Sequence, residues 1–165
     1  MGRPLSLRPR LAAVCEWIRA DDRVADIGTD HARLPVYLMQ RGLAAAAIGL
    51  DIAQGPLQRA RRTVAAHHME NHVALRQSDG AGSLSPDEVD TVVVTGMGGE
   101  SIARIALRSP WLRGKRLILG PHTRRDELPG WLAPEGFRLK AQKDVLDAGR
   151  MYRLYLFEGE SIWPP

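Results

Sequence analysis

The stretch VADIGTDHARLP, residues 24–35, begins as a buried strand and breaks at Gly28 into acidic, basic and polar residues. The same break recurs after four further apolar runs. Asp51 ends AAIGLD, Asp79 and Gly80 follow VALRQS, the glycine-rich Gly96-Met97-Gly98-Gly99 follows TVVVT, and Pro121 and His122 follow RLILG. Each residue type has a use at such a place. Gly28 has no Cβ, so its backbone can take unusual dihedrals and let a ligand come close. Asp51 lies 23 residues beyond Gly28, near the ~20-residue offset at which a carboxylate accepts hydrogen bonds from ribose hydroxyls. Asp79 can accept from an exocyclic amine such as adenine N6. Asp26 and Asp30 add negative charge around the first turn, which suits a cationic ligand and disfavours a pyrophosphate that would seek free N–H groups.

The first turn is also not G-x-G-x-x-G, because position 30 is Asp. A ligand with a ribose, a sulfonium and an ammonium but no phosphate fits this pattern better than NAD does; S-adenosylmethionine is such a ligand. Bland readings stand beside each residue taken singly. Asp30 can be no more than the cap of a helix near Leu34, and the glycines can serve only a turn. His67, His68 and His72 fall at a predicted helix end, where they complement the dipole; without nearby Cys or carboxylate ligands no metal site is expected. Cys15 shares a helical stripe with Leu11, Val14 and Ile18 and reads as a buried structural thiol.

The elements needed to place these residues alternate. Strands are predicted at 23–29, 46–52, 73–79, 91–97 and 116–122, with helices at 9–19, 34–42, 55–69, 100–108 and 124–136. Such alternation gives a parallel sheet covered on both faces. Ligands then bind outside the carboxyl ends of the strands, where strand order reverses, which is where the informative residues gather. Two last strands, 137–146 and 151–159, are joined by a link too short for a parallel crossover, so one of them should be antiparallel. The expected α/β architecture is therefore a seven-stranded, mostly parallel sheet with one antiparallel strand near the C-terminus. The whole chain, 1–165, is expected to form one domain, with residues 1–20 a helical segment packed on it.

A net charge of +4, carried almost wholly by arginine, suits an anionic partner. No apolar run approaches the ~18 residues of a membrane span, and MGRPLSLRPR lacks the apolar stretch of a signal peptide. A cytoplasmic chain with no membrane partner is expected.

The segments RVADIGTDHARLP, GLDIAQGPLQRA, VVVTGMGG, LILGPHTRRDELPGWL and GRMYRLYLF, with LRPRLAAVCEWI before them, resemble in order those of the TrmK-type bacterial tRNA adenine-N1 methyltransferases. Members of that family methylate adenine 22 of tRNA with S-adenosylmethionine. The resemblance implies a Rossmann-like class I methyltransferase fold. It also implies a cofactor site lined by Gly28, Asp30, His31, Asp51, Asp79, Gly80, Gly96 and Met97, to which Asp26, Thr29, Ile52 and Gly98 are added as neighbours. The family shows Q-P-N where this chain has Gly120, Pro121 and His122, and usually continues into a helical C-terminal domain where this chain has ESIWPP. The chain reads either as a truncated piece or as a shortened member whose substrate could differ, and weak tRNA binding is expected of it.

Adenine N1 has a free lone pair, so methyl transfer there needs alignment rather than a base. TGMGG is not the D/N-P-P-Y type of motif that holds an exocyclic amine, which favours a ring nitrogen as the target. His31 and His122 are the candidates for positioning the base. Arg8, Arg10, Arg33, Arg124 and Arg125 are the candidates for contacts to RNA phosphates. The rival readings are a nicotinamide-dependent oxidoreductase and a cofactor-binding module whose RNA recognition is lost or supplied by a partner.

Overall fold

Three consecutive valines show how the sheet is built. Val92 and Val94 of strand Thr91–Met97 point into one core, Val93 into another, and all three are fully buried. A strand with apolar side chains on both faces belongs in the middle of a sheet covered twice, and this one, β4, takes the central position. The structure, a computed structural model, describes residues 4–159; the terminal ESIWPP and the first three residues lie outside that range.

Chain order is α1 (Pro9–Cys15), β1 (Arg23–Ile27), α2 (Arg33–Gln40), β2 (Ala46–Asp51), α3 (Gln54–Ala66), β3 (Val73–Gln77), β4 (Thr91–Met97), α4 (Gly99–Arg108), β5 (Arg116–Pro121), α5 (Leu128–Leu132), β6 (Leu139–Asp147) and β7 (Arg150–Glu158). The sheet order is β3-β2-β1-β4-β5-β7-β6, parallel from β3 to β5. Strand β7 runs antiparallel between β5 and β6, so it is the one reversed strand that the short link required. Ala148 and Gly149 make that link with positive φ at both residues, the backbone of a tight type I′ hairpin.

Helices α4 and α5 cover one face, packing Ile102, Ala106, Leu128 and Leu132 against Ala25, Ile27, Val92 and Leu119. On the other face Val14 of α1 and Leu34 and Leu38 of α2 meet Val24, Val93 and Ile118, while α3 adds Ala60 and Val64 beside Val73. Strand order reverses between β1 and β4, and the crevice at their carboxyl ends is the natural ligand position.

Several elements are shorter than the sequence predicts. Strand β1 stops at Ile27 because Gly28, with φ of +74°, turns the chain out of the ladder. The first helix ends at Cys15 rather than residue 19, since Trp17 and Ile18 donate to Val14 and Cys15 three residues back in a tightened turn. Helix α3 ends at Ala66, and His68 leaves it with positive φ.

Candidate active site

The turn after β1 is held from below. The N–H groups of Gly28 and Thr29 both donate to the Leu50 carbonyl, at 2.8 and 2.9 Å. The Asp30 N–H donates to Asp51 Oδ2 at 3.2 Å, and the Ala53 N–H approaches Asp51 Oδ1 at 3.4 Å. A carboxylate at the end of β2 thus ties the first turn to the second, and its two oxygens keep lone pairs for a ligand. Gly28 is favoured by its positive φ, and a Cβ there, 2.5 Å from Met97 Cε, would push the Met97 side chain aside.

Beside this turn lies a cavity of about 450 Å³. Gly28, Asp51, Ile52, Asp79, Gly80 and Met97, all expected from the sequence, line it. Its apolar lining includes Ile27, Ile52, Met97 and Ile105. Ile52 is 60% exposed beside two carboxylates, an apolar face presented to a ligand site rather than to the core. Gly80, with φ of +57°, would bring a Cβ within 3.2 Å of Ile105.

Sequence reasoning missed the wall supplied by α4, where Ser101, Arg104, Ile105 and Arg108 follow helical spacing. That i, i+3, i+4, i+7 stripe is visible in the sequence once the helix is known to border the site. Arg108 stands 3.8 Å from Asp79, both exposed. Ser78, Ala81 and Gly82 were also missed.

Other expected residues go elsewhere. Asp26 is buried at 5% exposure beneath the turn, where it accepts a hydrogen bond from Thr29 Oγ1 at 2.9 Å. Burial pushes its carboxyl up to about 7; the Thr29 bond opposes the rise and the Asp51 charge adds to it. Asp26 occupies the alternate position of β1 to Ile27, so the pleat turns it away from the cavity, and the buried Thr29 follows it. Asp30 and His31 stand on the exposed rim, outside the cavity lining. Asp30 Oδ1 pairs with Arg59 at 2.8 Å, and His31 Nε2 lies 3.6 Å from Asp30 Oδ2. The cap position of helix α2 is Ala32, in a left-handed conformation and with no side-chain cap bond, so Asp30 is not its cap. Gly96 and Gly98 are also outside the cavity lining; a Cβ on Gly98 would meet Thr123 Oγ1 at 2.8 Å.

His122, Arg124 and Arg125 line a second cleft of about 660 Å³ with Pro121, Thr123, Arg150, Met151 and Tyr152. It adjoins the first through β4: the His122 N–H donates to the Met97 carbonyl at 2.8 Å, and the Gly99 N–H to the Thr123 carbonyl at 2.9 Å. Arg10 reaches His122 from α1, 2.7 Å away. Arg8 is committed differently from expectation. It donates from Nε and NH2 to the buried Asp147 at 3.1 and 2.8 Å, clasping the start of α1 to the β6–β7 hairpin. Arg33 donates to the Ser6 carbonyl.

The Cys15 thiol, pushed up to about 11 by burial and lying 3.6 Å from the Leu11 carbonyl, has the character of a structural thiol. Among the described residues no three His, Cys, Asp or Glu side chains are grouped to hold a metal.

A family model described as a methyltransferase domain matches residues 7–155, so the fold and its crevice are those of a methyltransferase. The chain belongs to the TrmK-type group of that family. It is 35% identical over 156 residues to the tRNA (adenine(22)-N(1))-methyltransferase of Bacillus subtilis, an alignment covering 93% of this chain and 66% of that protein. The chain therefore spans just under two thirds of the length of that relative. The crystal structure of the B. subtilis m1A22 tRNA methyltransferase TrmK superposes with a TM-score of 0.89 at 34% identity, over 95% of this chain and 68% of that one. The Streptococcus pneumoniae protein Sp1610, solved in complex with S-adenosyl-L-methionine, superposes at 0.86 with 33% identity, over 94% and 74%.

Proposed function

We propose that this chain transfers a methyl group from S-adenosylmethionine to N1 of an adenine in tRNA, and does so in the cytoplasm. The observation that carries the cofactor half is the state of the first turn. Its N–H groups at Gly28, Thr29 and Asp30 are already donated to Leu50 and Asp51. A pyrophosphate would find no free amides there, whereas a ribose finds the Asp51 carboxylate. Arg104 and Arg108 put two cations on the opposite wall, so the preference over NAD rests on these spent amides rather than on net charge.

The volume of the cavity suits a small-molecule site. In this reading Asp51 holds the ribose, Ile52 and Ile105 flank the adenine, and Asp79 accepts from its exocyclic amine. Met97 stands where the cavity meets the second cleft. When bound, S-adenosylmethionine supplies a methyl on a sulfonium, and its C–S bond breaks as the bond to N1 forms and positive charge passes to the adenine. The protein's residues need only align the two partners and exclude water. The tRNA half is supported by the family and by the identity to the B. subtilis enzyme. Arg10, Arg33, Arg124 and Arg125 remain candidates for contacts to the RNA, and Arg8 remains one despite its bond to Asp147. No helix among the described residues is long and apolar enough to cross a membrane.

Calorimetric titration with S-adenosylmethionine, S-adenosylhomocysteine and NAD tests the cofactor half. The first two should bind and NAD should not; the reverse preference would overturn it.

A further inference from the structure

The second cleft has a chemistry of its own. Two elements distant in sequence line it, the segment after β5 with Pro121 to Arg125 and the first residues of β7 with Arg150 to Tyr152, and Arg10 of α1 holds His122 beside it. The His122 and Tyr152 rings meet edge to face with centroids 5.7 Å apart, and the Arg10 guanidinium lies 4.9 Å over the Tyr152 ring. Arg10 donates to His122 Nε2, so that nitrogen is the acceptor and the ring proton sits on Nδ1. Burial and the nearby charges of Arg10 and Arg150 lower the pKa of His122, which keeps the imidazole neutral.

One feature marks this assembly as open to an incoming group. Arg150 is exposed on the cleft with no hydrogen-bond or ion-pair partner among the described residues, whereas Arg124 and Arg125 each have carboxylates near them. Aromatic rings interleaved with arginines are the surface on which unstacked bases lie and backbone phosphates are held. The cleft is also in the right place. Met97 lines the first cavity, and its carbonyl is hydrogen-bonded to the His122 N–H. Thr123 packs so tightly on Gly98 and Gly99 that a Cβ on either would come within 2.8 Å of it. The Met97–Gly99 turn, which lines the first opening at Met97, is thus bonded to residues that line the second.

We propose that this cleft receives the acceptor nucleotide, with the Arg10–His122–Tyr152 cluster against the base and Arg150 on a flanking phosphate. This rests on the reading of the chain as a tRNA methyltransferase. It assigns substrate recognition to residues of α1 and the β6–β7 hairpin, away from the cofactor cavity.

The test is binding of unmodified tRNA by fluorescence anisotropy across a salt series, beside calorimetry with S-adenosylhomocysteine. Arg150→Ala should lower the slope of log affinity against log salt by about one unit, and Arg150→Lys should restore it. Tyr152→Ala should weaken tRNA binding by roughly 5- to 150-fold, the cost of one lost base stack, and Tyr152→Phe should stay near wild type. S-adenosylhomocysteine affinity should be unchanged in all four, which a merely destabilised fold would not give. Wild-type tRNA affinity and salt slope in both alanine variants would overturn the cleft assignment and leave the methyltransferase reading standing. A wild-type chain that binds S-adenosylhomocysteine but no tRNA at any salt would overturn both.

Discussion

Two openings share the carboxyl end of this sheet and differ in how they are made. The cavity around Gly28 and Asp51 is assembled mainly from backbone turns that immediately follow parallel strands. Its shape depends on positive-φ glycines and on amides spent inside the protein. The cleft around His122 and Tyr152 is assembled from long side chains on elements far apart in the chain, pinned by Arg8 on Asp147 and by Lys143 on the Ala13 carbonyl and Glu16. A small rigid ligand can be gripped by turns. A macromolecule needs charge and rings spread over a surface that can adjust. If the comparison is right, substitutions should separate cleanly into those that damage cofactor binding and those that damage RNA binding.

The largest effect is expected at Gly28. Valine there places a branched Cβ against Met97 and forces a β-branched residue into positive φ. Gly28→Val should lose S-adenosylhomocysteine binding by more than about a hundredfold, the sum of a steric clash and roughly 1–3 kcal/mol of backbone strain. Calorimetry measures the loss, and circular dichroism checks that the sheet persists. Normal binding by a folded Gly28→Val would dissolve the distinction between the two openings.

Next comes Asp51→Ala, which removes the proposed ribose acceptor and the tie to Asp30. Cofactor affinity should fall by roughly 1–3 kcal/mol, with tRNA affinity in the absence of cofactor nearly unchanged. A fall in both would mean that the first turn also shapes the RNA surface.

A smaller effect, on stability rather than binding, is expected beneath the first turn. Asp26 titrates at about 7 in the folded protein and near 3.8 when its burial is lost. The folded state therefore holds the proton more tightly, and the contribution of this group to stability falls as pH rises between those values. Asp26→Asn, which can still accept from Thr29, should melt several degrees above wild type at pH 8, the advantage shrinking toward pH 4. Thermal melts at the two pH values check the sign; a wild type favoured at pH 8 would show that the ionised carboxylate is needed.

The smallest change concerns the clasp between α1 and the hairpin. The guanidinium of Arg8 holds Asp147 below the usual carboxylate range, so the stability it lends is present above the unfolded pKa and fades as pH falls through the folded one. Arg8→Ala should lower the melting temperature slightly at neutral pH and weaken tRNA binding only through a loosened Arg10. An Arg8→Ala salt slope reduced by a full unit would instead restore Arg8 as a phosphate contact.

The sheet was legible because its physics is local. A short β-branched run such as Val92 to Val94 before a glycine fits a central strand, and a link as short as Ala148–Gly149 reverses direction. The turn-built cavity was largely legible for the same reason, since Gly28, Asp51, Asp79 and Met97 end their strands or follow them closely. Asp26 and Thr29 were misplaced because proximity to a turn does not say which way a side chain points; the pleat does. The Arg8–Asp147 pair spans nearly the whole chain, and neither residue's neighbours hint at the other. Arg104 and Arg108 were passed over because a helix face becomes a wall only once the helix is packed. Tyr152 sits in a strand read for its apolar residues, and Arg150 falls just before that strand's expected start.

The most direct test of the account is transfer of a labelled methyl group from S-adenosylmethionine to unmodified bacterial tRNA, with the modified nucleotide mapped. The account predicts label on N1 of an adenine, lost in Asp51→Ala through weak cofactor binding and in Tyr152→Ala through weak tRNA binding. Label on a different atom or base, or transfer indifferent to both substitutions, would contradict it.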